Sequence, residues 1–129
     1  MNTILVEVSV GELLDKISIL EIKKEKIKDT EKLKFINDEC EVLKYQLDKN
    51  VKSDEKIDKL FQSLKEINAK LWIIEDDKRL CEKNSDFNDR FIQLARDVYI
   101  TNDKRSKIKL EINKILDSNI KEVKQYTQY

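Results

Sequence analysis

The sequence predicts an all-α protein, an antiparallel bundle of about four long helices with coiled-coil-like packing, in a single domain over residues 1–129. Three features predict it. The chain holds one glycine and no proline, so it lacks the residues that supply tight turns and left-handed backbone in multi-turn β or doubly wound folds. Apolar residues recur at alternating spacings of three and four over long stretches, the period of an amphipathic helix. Apolar residues make up 40% of the chain, and 26 basic groups balance 26 acidic ones, whereas disorder needs low hydrophobicity with high net charge.

The elements follow in order. Thr3–Val8 (TILVEV) is short and β-branched, which suits extended backbone over residues 1–9. Ser9-Val10-Gly11-Glu12 reads as a capping box, Ser9 accepting from the Glu12 amide and Glu12 reaching back, so a first helix starts near Val10. Its stripe, Leu13, Ile17, Leu20 and Ile27, runs to about Lys28. Asp29-Thr30 caps a second helix with Leu33, Ile36, Cys40, Leu43 and Leu47 in unbroken register. Ser53 is the expected cap of a third, whose stripe runs Ile57, Leu60, Leu64, Ile67, Leu71, Ile74, Lys78 and Cys81 to Lys83. Ser85-Asp86 restarts the pattern, and Phe87, Phe91, Leu94 and Val98 lead a fourth helix. The stripe then fails before resuming at Ile108, Ile112 and Ile115, because Thr101, Asn102 and Arg105 fall where core residues are due. Either the helix breaks near Thr101–Asp103 or polar groups point inward there, and buried polar groups need partners. In the tail, residues 118–129, the alternation Ile120-Lys121-Glu122-Val123 is a candidate strand partner for Thr3–Val8.

Composition excludes much chemistry. With no histidine, Ser-His-Asp and Cys-His catalysis and histidine-ligated zinc are ruled out. One glycine leaves no phosphate loop and no dinucleotide fingerprint. Cys40 and Cys81 sit on apolar stripes, as small buried hydrophobes do. Zero net charge argues against general nucleic-acid binding, although Lys104–Tyr129 is mildly basic. No apolar run reaches the roughly 20 residues of a membrane span, and Met1–Val10 lacks the marks of a signal peptide. The expected location is the cytoplasm.

Arginine placement marks a candidate site. Against 22 lysines there are four arginines, Arg79, Arg90, Arg96 and Arg105, all in one window of the third and fourth helices. Arginine offers a planar fork for carboxylate or phosphate. The same window holds the lone Trp72, with Glu75, Asp76, Tyr99, Asn102 and Asp103. In a ligand site, Arg79, Arg96 and Arg105 would hold an anion, Glu75 or Asp103 would orient it or move a proton, and Trp72 and Tyr99 would wall the pocket. In a structural reading, Glu75–Arg79 and Asp86–Arg90 are ordinary helix pairs and Trp72 is a packing anchor. Glu12 and Asp15, at i and i+3, share a face and are the weaker candidate, for Mg²⁺; no other cofactor is expected. Paired carboxylates of this kind resemble those that bind Mg²⁺ in all-helical nucleotide pyrophosphohydrolases.

Three passages resemble one uncharacterised family of small bacterial and phage helical proteins, a domain of unknown function. They are Val8–Ile17 with Ile19–Lys23, then Leu71–Asp76 (LWIIED), then Leu94–Arg105 (LARDVYITNDKR). The closing Glu122-Val123-Lys124-Gln125-Tyr126 is similar too, though it departs from the family's usual Glu-Lys-Ser-Tyr. The resemblance implies one helical domain and no particular activity. Two functions are therefore expected. One is a non-catalytic interaction or scaffold protein, self-associating as a homodimer or binding a protein partner. The other is a small-molecule-binding protein or enzyme that takes an anionic, phosphate- or carboxylate-bearing metabolite through an Arg/Glu/Asp site.

Overall fold

Four side-chain caps set where the helices begin. In the computed structural model, which describes residues 2–52 and 54–129, α1 spans Val10–Lys26, α2 Thr30–Asn50, α3 Glu55–Lys83 and α4 Asp89–Ile115. Ser9 Oγ accepts the Glu12 amide proton at 3.1 Å, Asp29 that of Lys32 at 2.9 Å, and Asn88 that of Arg90 at 3.1 Å. Each satisfies one of the donors that a helix start leaves open. Ser53, the cap expected for α3, lies outside the described residues; Asp54 occupies the N-cap position and accepts from the Lys56 amide. The fourth helix begins two residues later than its apolar pattern suggests, because Phe87 precedes the Asn88 cap.

With almost no glycine, helix ends are closed by other residues in the left-handed region. Ser85 (φ 53°) and Asp117 (φ 47°) follow the C-caps of α3 and α4. At each end two backbone bonds wrap back: Asp86 N–H donates to the Cys81 carbonyl and Ser85 N–H to Glu82, then Ser118 N–H to Asn113 and Asp117 N–H to Lys114. These are Schellman motifs, which satisfy carbonyls the helix leaves open.

Short connections reverse the chain between successive helices, but α3 packs on α1 rather than on α2. α1 is the central member and packs on all three others, whereas α2 packs on α1 alone. Leu14, Ile57, Leu64 and Ile112 form the main core, with Leu47 of α2 reaching it. A second cluster, Leu20, Ile36 and Cys40, fastens α2 to α1. A third, Ile74, Cys81 and Leu94 with Phe91 and Val98, belongs to α3 and α4 only. The 29 residues of α3 reach about 43 Å at about 1.5 Å per residue, so the α3–α4 hairpin projects past the end of the 17-residue α1.

Two sequence expectations are corrected or resolved. The pairing of Thr3–Val8 with the tail does not form: no strand occurs among the described residues, and Ile4, Leu5 and Val6 are exposed. The tail instead lies along α4, held by Tyr129. α4 is unbroken through Thr101–Asp103, and Thr101 is buried while Arg105 reaches inward.

Candidate functional site

The polar interruption of α4 meets an equally polar stretch of α1 and α3. Asp15, on α1, is 1% exposed. Its Oδ1 accepts from Arg105 Nε at 2.9 Å and from Asn68 Nδ2 at 2.8 Å, and its Oδ2 accepts from Arg105 Nη2. Ser18 Oγ donates to the Asp15 carbonyl at 2.7 Å and accepts from Asn68 at 2.8 Å. One turn along α4, Lys109 Nζ lies 2.6 Å from Glu12 Oε2, 3.9 Å from Asp15 Oδ2 and 3.6 Å from Glu122 Oε2 in the tail. Among the described residues no buried side-chain nitrogen or oxygen lacks a partner. A charge group sunk among helices is tolerable on those terms alone.

Burial pulls the Asp15 carboxyl upward, but the bonds from Arg105 and Asn68 and the charges of Arg105 and Lys109 outweigh it and hold the group below its ordinary value. Arg105 is pushed the other way by its bond to Asp15. Both groups therefore stay charged near neutrality. Glu12 and Asp15, the pair weighed for Mg²⁺, are each engaged by cations of α4. The return half of the capping box is replaced accordingly, since the Glu12 side chain turns to Lys109 and Lys16.

The same seam caps α1. Asn113 Oδ1 accepts the Gly11 amide proton at 2.6 Å and Ser118 Oγ that of Val10 at 3.2 Å. The lone glycine permits this approach: a Cβ on Gly11 would lie 2.6 Å from the Lys109 carbonyl oxygen and 2.9 Å from Asn113 Oδ1.

Beside Arg105 a cleft of about 450 Å³ opens between α1, α3 and α4. Trp72, Glu75, Asp76, Arg79, Asn102 and Arg105 line it, over Ile19, Ile22 and Leu71. Six of the nine residues singled out from sequence thus meet at one place. Arg79 Nη1 is 2.6 Å from Glu75 Oε2, the expected i,i+4 pair, and this bond chiefly lowers the Glu75 carboxyl. Both guanidinium groups of the cleft are therefore already engaged by carboxylates of the chain. Asn102 receives only a long bond, 3.4 Å, from Arg105 Nη1.

The other three residues lie elsewhere. Arg96 is exposed and lines neither this cleft nor the cavity under the tail. Tyr99 stacks edge-on against Tyr129 at 5.3 Å between ring centroids, and Asp103 accepts the Tyr129 hydroxyl proton at 2.6 Å. Arg90 pairs with Asp77 across the hairpin at 3.1 Å rather than with Asp86.

Sequence reasoning missed Asn68, Ser18, Lys109 and Asn113 as members of the polar seam. Asn68 follows the core position Ile67 and so looked like a flank residue. The available signal was Gly11, since a single glycine within a helix start marks a close backbone approach.

Comparison with curated proteins and with solved structures finds no match for this chain. The stretches that carry the family resemblance supply Glu12 and Asp15, Trp72 to Asp76, and Asn102 to Arg105, so they converge on the seam and its cleft. Matching its family model over residues 4–129, the chain belongs to the family of unknown function DUF6165.

Proposed function

We infer that this protein is a non-catalytic helical interaction protein of the cytoplasm that self-associates as a homodimer through the outer face of α2. One observation carries the reading: α2 packs on α1 alone, and its far side presents Phe35, Val42 and Tyr45, which are 62–64% exposed. Their spacing of seven and three residues makes an a/d-type seam on the side away from Ile36, Cys40 and Leu43. Large apolar side chains exposed along one helix face are candidates for a contact site. The flanking charges suit a second copy. An antiparallel crossing level with Cys40 sets Phe35 of each copy opposite Tyr45 of the other and Glu31 opposite Lys49. The polar seam fits the same reading, because Asp15 and Arg105 are engaged with each other, as in a charge network that fixes helix packing.

Light scattering at high micromolar concentration tests it. The expected mass is that of two chains, and Val42→Glu, which places like charges together at the crossing, gives one chain with unchanged helix by circular dichroism. A wild-type monomer under those conditions overturns the reading.

A second reading, a small ligand in the Trp72–Arg105 cleft, is favoured by the meeting of six predicted residues around one opening. Because Glu75 and Asp76 stand there with Arg79 and Arg105, the ligand suited to it carries charges of both signs. A thermal-shift screen with zwitterionic, phosphorylated and carboxylated metabolites tests this, since a ligand at about 100 times its Kd adds about 2.7 kcal/mol. No shift in wild type, or an equal shift in Trp72→Ala, removes it.

A further inference from the structure

A second cavity of about 440 Å³ lies between α4 and the C-terminal tail, and its charge is not balanced. Lys104, Lys107, Lys109 and Lys124 line it against two side-chain carboxylates, Asp103 and Glu122. Both carboxylates are occupied: Asp103 by the Tyr129 hydroxyl, Glu122 by Lys109 and Lys124. Lys109 is in turn answered by Glu12. Lys104 and Lys107, at i and i+3 on one face of α4, form no ion pair with any described residue.

Asn113 is the independent sign of a ligand. It is 1% exposed and lines this cavity. Because its Oδ1 accepts the Gly11 amide proton, the orientation of its amide is fixed and Nδ2 faces the other way. That nitrogen donates to no described residue, yet it is not sealed off, since no unpartnered polar atom is fully buried. A donor that no described residue answers, reachable from a cavity with excess cations, can turn to an anion there.

We propose that this cavity binds the phosphoryl group of a small phosphorylated molecule, with the tail as its outer wall. Asn113 Nδ2 and the ammonium groups of Lys104, Lys107 and Lys124 supply donors on several sides, which suits a dianion with three acceptor oxygens better than a two-oxygen carboxylate. The volume exceeds that of a bare ion and falls in the range of small-molecule pockets, leaving room for a carbon body against Tyr126. The tail is fastened at its far end by Tyr129 on Asp103 and Tyr99, so an anion bound inside ties it down at Lys124 as well.

The experiment uses inorganic pyrophosphate as probe on the full chain, with sodium chloride matched for ionic strength. Calorimetric titration should show saturable binding, and pyrophosphate should slow carboxypeptidase trimming of the tail. Lys104→Gln combined with Lys107→Gln, both on the exposed face of α4, should weaken binding at least tenfold while helix content is unchanged. Asn113→Asp keeps the acceptor for Gly11 and replaces the donor with a negative charge, so it should abolish binding if it folds. Arg79→Ala, in the cleft, should leave binding intact. No binding beyond matched chloride, equal affinity in the lysine double variant, or loss in Arg79→Ala alone each overturns the proposal.

Discussion

Asp15 is the residue whose removal would be felt most. Replacing it with alanine takes the carboxylate from Arg105 and leaves Asn68 with Ser18 as its acceptor. Breaking a buried pair in this way costs about 3–5 kcal/mol, so urea titration of Asp15→Ala should show a loss near the lower figure, because Arg105 retains some solvent. A loss below about 1 kcal/mol would mean the network is slack. Its acid response has a definite sign. The carboxyl is depressed below its unfolded value of about 3.9, so protonation favours the unfolded chain. Its contribution is complete above about pH 4 and disappears as pH falls through the folded pKa. Stability measured against pH should drop in that acid window, and Asp15→Asn should remove part of the slope. Gly11→Ala is the complementary case. Alanine is the better helix former by about 1 kcal/mol, yet its Cβ meets the Lys109 carbonyl backbone, and overpacking of this kind costs about 1–3 kcal/mol. A net loss on denaturation is expected, and a gain would show that α4 shifts freely.

Among elements, α4 shows what periodicity carries and what it does not. The failure of its stripe at Thr101, Asn102 and Arg105 was visible, and left a broken helix and an inward polar face as equal alternatives. The choice depended on Asp15, ninety residues away, which no local pattern reports. The same holds for the site: Trp72, Glu75, Asp76, Arg79, Asn102 and Arg105 could be picked out because arginine is scarce, but Lys109 hid among 22 lysines. The strand expected at Thr3–Val8 rested on β-branched composition, which describes a fit to neighbours that this fold does not provide. Helix boundaries were legible because caps are local, yet C-termini were less so, since Ser85 and Asp117 take left-handed backbone where glycine is usual. Ser85→Gly should therefore stabilise the α3–α4 turn by about 1 kcal/mol, read from the thermal midpoint; an unchanged midpoint would show the turn to be unstrained.

For the molecule as a whole, packing is uneven. α1 is covered by three helices, α2 is covered on one side, and the far end of the α3–α4 hairpin rests on one small cluster. Native-state hydrogen exchange should rank amides in that order, with those of α1 near the global unfolding free energy and those around Cys81–Leu94 opening earlier. Uniform protection would contradict this arrangement. Covering α2 with a second copy would slow exchange there in a concentration-dependent way.

The bonds that the Gly11 and Val10 amides donate to Asn113 and Ser118 span more than a hundred residues. They make the first helix wait for the last. While the chain emerges from a ribosome, α1 can find α2 at once, but Asp15 has no counter-charge until Arg105 has been synthesised. A polypeptide halted before that point would lack both the counter-charge of Asp15 and the helix that covers the remaining side of α1, so protease should cut it faster than the full chain.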